Sequence, residues 1–210
     1  MKNILFLLAV IAILVSCNNE TNKVETETIK DTVAAVAEPV PDATPAPVTT
    51  EYKTKTGKIF VVTETHPTGM SLSNISVGFK GGDSLSQMPF NDVDPINKVL
   101  VGDLDANGFD EIYIITIAAG SGSYGNIYGV SSNSDKSLSM ISIPEVTEAD
   151  MKKGGNFEGY EGHDEFEIVE NSLARRFPIK GEGVTMRAIN YKLKPGENSY
   201  KLYIKNSTAF

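Results

Sequence analysis

Residues 112–126 read IYIITIAAGSGSYGN, six strongly apolar or β-branched positions that run into a loop of small residues. The first half has the composition of a β-strand, and Gly120, Gly122 and Gly125 give the second half the spacing G-x-G-x-x-G. A dinucleotide cradle needs a helix after those glycines, because the helix N-terminus holds the pyrophosphate. Here residues 126–131, NIYGVS, continue as a second strand, and Ile141, Ser142 and Ile143 stand where the ribose-binding acid belongs. The stretch is therefore a strand, a tight glycine-rich loop and a strand, which makes it the hairpin of an all-β protein.

Outward from this hairpin the same pattern repeats. Strands are expected over 58–64, 72–79, 96–101, 112–118, 126–131 and 138–143, then over 165–169, 172–179, 184–193 and 199–204. Glu170-Asn171 and residues 194–198 (KPGEN) supply turn chemistry between the last pairs. Only residues 145–153, EVTEADMKK, suit a helix, and a short one. The expected fold is an antiparallel β-sandwich with one short helix and two additional C-terminal hairpins. It occupies residues 51–210, with a central part at 52–145 and an extension at 146–210.

The N-terminus differs. Residues 1–17, MKNILFLLAVIAILVSC, place one lysine before an apolar run too short to span a bilayer, the form of a signal peptide. Its ending, LVSC, resembles the bacterial lipoprotein signal, which implies acylation of Cys17 and a cell-envelope lipoprotein, at the outer membrane and facing the periplasm or the exterior. Each buried acyl methylene adds about 0.8 kcal/mol to membrane binding. Residues 18–50 are rich in Thr, Glu, Ala, Val and Pro and are expected to be a disordered stalk, spanning about 30 Å as a coil.

Composition narrows the chemistry. Cys17 is the sole cysteine, so a lipid there leaves no disulfide, thiol nucleophile or cysteine zinc site. With His66 and His163 as the only histidines, a three-histidine metal site is excluded. His66 precedes Pro67 in a turn, and His163 beside Asp164 fits a turn better than acid–base chemistry. Loss of the leader before Cys17 leaves 18 basic against 27 acidic residues, a net of −9, which disfavours nucleic acid and favours cationic partners. No catalytic set is apparent, so a binding protein is expected rather than an enzyme. A carboxylate pair for glycan cleavage would leave no local signature.

Residues 101–111, VGDLDANGFDE, form the other motif. Asp103, Asp105, Asn107 and Gly108 match the opening of an EF-hand loop, D-x-[DN]-x-[DN]-G. Position twelve is Ile114 instead of glutamate, and a strand follows instead of a helix. One reading is a turn in which Asp and Asn side chains satisfy backbone amides. The other is a calcium site completed by Asp110 or Glu111, serving a calcium-dependent binding or adhesion module of the cell envelope.

Taken together, VGDLDANG, an acidic-apolar strand and the following Ser121-Gly122-Ser123-Tyr124 resemble the periplasmic inhibitors of invertebrate-type lysozyme, over about residues 58–145. The resemblance implies a β-sandwich whose Ser-Gly-x-Tyr loop enters the lysozyme cleft, with Ser121, Gly122, Ser123 and Tyr124 as partner-binding residues. It implies no cofactor, a lysozyme as protein partner, and a membrane contact made only through the N-terminal lipid. The segment 159–166, GYEGHDEF, and residues 173–178, LARRFP, exceed what the compact inhibitors contain. Arg175 and Arg176 must point to opposite faces of their strand.

Overall fold

In the computed structural model of the chain, residues 45–82, 86–180 and 185–210 are described. Cys17, the expected site of lipidation, and most of the expected stalk lie outside these residues. Two sheets form within one compact unit that takes in all the described residues. The smaller has the order β1-β2-β3-β4: β1 (Val48–Lys53), β2 (Ile59–Thr65), β3 (Ser73–Phe79) and β4 (Met88–Val93). The larger has the order β5-β6-β7-β8-β12-β11-β10-β9. Its strands are β5 (Ile96–Gly102), β6 (Glu111–Ile117), β7 (Gly125–Asn133), β8 (Ser137–Ser142), β9 (Glu165–Val169), β10 (Ser172–Pro178), β11 (Met186–Pro195) and β12 (Tyr200–Ala209).

Strand β6 explains the architecture. Every residue from Glu111 to Thr116 is buried, so both faces of the strand are covered. Ile112 and Ile114 face the small sheet and pack with Phe60, Val62, Ile75, Val77 and Val93. Tyr113 and Ile115 face the opposite way, into a second core with Ile127, Leu173, Phe177, Ile189 and Leu202. A strand with a core on each side has to be apolar without alternation, which is what IYIITI is. Each of these isoleucines contributes about 1.5–3 kcal/mol through burial.

The second core is enclosed because the large sheet curls. Its two outermost strands, β5 and β9, approach each other, and Lys98 Nζ donates to the Phe166 carbonyl across the gap at 2.9 Å. Beside it the Ile168 side chain packs over Gly102. The architecture is thus a four-stranded sheet laid on one flank of a curled, barrel-like eight-stranded sheet. All pairings are antiparallel except β8 with β12, where Tyr200 meets Ile141 and Lys201 meets Ser142 in parallel register.

Helix α1 (Glu148–Met151) is a single turn. Thr147 caps it: the Asp150 amide donates to Thr147 Oγ1, and the Thr147 amide donates to Asp150 Oδ2. The chain beyond it carries Phe157 into the barrel mouth, where its ring stacks on Phe177 at 5.6 Å. Among the described residues no helix is long and apolar enough to cross a membrane.

The all-β fold is as expected, and the structure corrects two details. β1 begins at Val48 and takes in residues assigned to the stalk. β4, MPFNDV, was not expected. Residues 146–210 supply the two expected C-terminal hairpins, β9–β10 and β11–β12, and these form half of the large sheet and share its core.

Candidate functional site

The β6–β7 loop is closed at its base by the Ala118 amide, which donates to the Tyr124 carbonyl at 2.8 Å. Gly120 (φ 142°) and Ser123 (φ 43°) carry the positive φ values that fold the tip back on itself, and the Ser123 amide reaches the Gly120 carbonyl. Ser121 and Tyr124 are exposed, the tyrosine at 48%. Gly122 and Ser123 are half-buried. The four expected partner-binding residues therefore form one surface tip.

Behind the tip lies the segment whose purpose the sequence left open. The His163 amide donates to the Gly122 carbonyl at 2.7 Å, with His163 itself in a positive-φ turn. Asp164 Oδ2 accepts from the Gly125 amide at 2.7 Å. Arg175, on β10, donates from Nη2 to the Gly125 carbonyl at 3.1 Å and grips Asp164 with both arms of its fork, Nε to Oδ1 at 2.6 Å and Nη2 to Oδ2 at 2.8 Å. Tyr160 completes the network, its hydroxyl donating to Asp164 Oδ2 at 2.6 Å and accepting from Arg175 Nη2.

This is a buried ion pair. Arg175 is 5% exposed and the Asp164 side chain is fully covered. Burial opposes the charge on Arg175, yet the bonds to Asp164 outweigh it and hold the guanidinium firmly protonated. The rings of Tyr160, Phe157 and Phe166 surround the guanidinium carbon at 4.9, 5.1 and 5.4 Å. Burial likewise pushes the Tyr160 hydroxyl well above the usual tyrosine range. Arg176 points outward to Glu167, so the two arginines do face opposite ways.

The Tyr124 ring fills the space over Gly122 and Gly162 and meets Tyr160 edge-on at 5.6 Å. The loop is thus clasped from beneath and open above. A cleft of about 490 Å³ adjoins it, with Tyr124, Tyr128, Tyr160 and Tyr191 in its wall. Two other tyrosines of the hairpin, Tyr113 on β6 and Tyr128 on β7, differ from each other. Tyr113 is fully buried in the barrel, whereas Tyr128 packs against Phe90 toward the small sheet.

The β5–β6 turn is a separate site. Asp103 accepts from the amides of Asn107 and Gly108 at 3.0 Å each, and Asp105 accepts from the Asn107 amide at 3.1 Å. Lys55, on the β1–β2 turn, pairs its ammonium with Asp103 and donates its amide to Asp110 Oδ2 at 2.6 Å, which ties the small sheet to the large one. Glu111, named in the sequence only as a possible completing residue, is central here: it is fully buried, and Oε2 accepts from the Leu104 amide at 2.8 Å. Burial, reinforced by Asp105, Asp103 and Asp110, pushes its carboxyl up to about 8. Burial also raises Asp105; it works the same way on Asp103, but Lys55 and the two amides bring Asp103 below the usual carboxylate range. Asn107 bonds to Asp105 and accepts from the Phe109 amide.

Compared with family models, curated proteins and solved structures, the chain matches none.

Proposed function

We propose that the protein is a lipid-anchored inhibitor of a lysozyme, which seats the Ser121–Tyr124 tip in the carboxylate-lined cleft of that enzyme. The observation that carries this reading is a half-exposed tyrosine on a loop whose backbone is immobilised from behind by His163, Asp164 and Arg175. A tip held in its docking shape before encounter loses little conformational freedom on binding. Lysozyme clefts contain one protonated and one ionised carboxyl group. The hydroxyls of Ser121 and Tyr124 are donors for such groups, and the tyrosine ring has the size and flatness to fill a sugar subsite. The acidic surface speeds encounter with a basic enzyme, an effect that salt weakens. Cys17 holds the protein at the envelope, where lysozyme meets peptidoglycan.

The test is the muramidase activity of an invertebrate-type lysozyme titrated with the purified protein. Inhibition is expected at micromolar concentration or below. Tyr124→Ala weakens it about 100-fold, the scale of a central aromatic anchor, and Ser121→Ala about tenfold, the scale of one hydrogen bond. Ser121→Ala leaves the melting temperature unchanged, whereas Tyr124→Ala also gives up the edge-on contact with Tyr160 and lowers it by about 2–4 °C. Full lysozyme activity at ten micromolar protein refutes the reading for that enzyme.

A further inference from the structure

One carboxylate oxygen from each of Asp103, Asp105 and Glu111 lies within 4.8 Å of the others. Acidic residues gather at many turns, and hydrogen bonds to loop amides account for Asp103 and Asp105. They do not account for Glu111. Its carboxylate is completely buried, and Oε1 has no hydrogen-bond partner, although a buried polar atom left in that state is costly. Glu111 therefore brings to the acidic cluster a buried carboxylate with one oxygen unsatisfied, and such a group calls for a cation.

We propose that the β5–β6 turn binds a divalent cation, calcium in preference to magnesium, through the carboxylates of Asp103, Asp105 and Glu111. Asp103, Asp105, Asn107 and Glu111 occupy positions one, three, five and nine of the loop, so Glu111 supplies the acid that Ile114 cannot supply at position twelve. All donors are oxygen and neither histidine belongs to the cluster, which selects a hard cation over zinc or copper. An irregular set of protein oxygens suits calcium, whereas magnesium demands octahedral geometry and retains its waters. The ammonium of Lys55 already rests on Asp103, so a positive charge is favoured at this place, and its 44% exposed side chain is free to swing away when a metal enters. Displacing it keeps the affinity modest, on the order of 10⁻⁴–10⁻³ M, as in other extracellular calcium modules. The bound ion would bridge the turn to the start of β6, the strand shared by both cores. This site is independent of the Ser121–Tyr124 tip.

The test uses the full-length protein stripped with EGTA. Calorimetric titration with calcium chloride gives saturable heat, magnesium chloride at least tenfold weaker binding, and 10 mM calcium raises the melting temperature by about 5 °C. Because the chain has no tryptophan and the Tyr113 hydroxyl lies 3.5 Å from Glu111 Oε2, terbium excited through tyrosine reports on the site. Tyr113→Phe keeps the calcium heat and loses most of that emission. Glu111→Gln and Asp105→Asn each weaken calcium at least tenfold without lowering the melting temperature in EGTA. Should Glu111→Gln fail to fold, Asp105→Asn, a half-buried position, gives the answer alone. Absence of heat and of a melting shift at 10 mM calcium, or undiminished binding by Asp105→Asn, overturns the proposal.

Discussion

Arg175→Met is expected to lower the melting temperature by about 10 °C and to loosen the loop at residues 118–125. The substitution keeps the volume and apolar contacts of the side chain but leaves Asp164 buried without its partner, a change that costs about 3–5 kcal/mol. In a domain of this size each kcal/mol shifts the midpoint by about 2–4 °C. The same change withdraws the donor to the Gly125 carbonyl and frees the carboxylate that receives the Gly125 amide. Hydrogen exchange at Gly125 and His163 should accelerate more than at β6, whose amides lie in the sheet. The double variant Arg175→Met/Asp164→Leu should recover part of the loss, since an apolar pair in a dry site often equals the ion pair it replaces. A midpoint within 2 °C of wild type for Arg175→Met would show that the network contributes nothing to stability.

Gly162→Ala is expected to cost at least 3 kcal/mol and to separate the 160–164 segment from the loop. At φ 89° an alanine is strained by about 1–2 kcal/mol. Its methyl would also stand 1.9 Å from the Gly122 carbonyl oxygen and 2.8 Å from the carbonyl carbon, which are backbone atoms unable to rotate away. Gly154→Ala separates the two effects, because φ there is 83° and an added methyl meets nothing within 4 Å. Chemical denaturation of both variants should give about 1 kcal/mol of destabilisation for Gly154→Ala and several for Gly162→Ala. Equal costs would mean that the close approach of the two backbones has no energetic weight. Because Gly162 lies outside the exposed tip, lysozyme inhibition that falls in Gly162→Ala while Tyr124 is intact would also measure how far the tip depends on its brace.

The strands that pack on a core were legible as runs of β-branched and aromatic residues, and β6 was the clearest because it packs on two. β1 and β4 were not, for a physical reason. They are the outer strands of the small sheet and mostly exposed, so VTTEYK and MPFNDV carry little apolar alternation, and Pro89 further disguises the second. The tip at Ser121–Tyr124 could be placed after β6 from composition alone. Its brace could not, because Gly125 meets Asp164 and Arg175 across 39 and 50 residues, and no local pattern encodes such distances. Two hints were nevertheless present. Adjacent arginines on a strand force one inward, where it needs an acid, and the GHD turn offers one. By period two, Glu111 shares a face with Tyr113 and Ile115, which places a carboxylate inside the barrel.

The parallel seam between β8 and β12 bears on what keeps the large sheet whole. β12 comes after all the other described strands in chain order, yet it lies mid-sheet, joining the ribbon from β5 to β8 to the pairs that follow the helix. Without it no strand ladder joins the meander of β5 to β8 to that of β9 to β11. Closing the large sheet therefore requires Tyr200–Ala209, and fraying of that one strand would lay open the inner faces of both meanders to other chains.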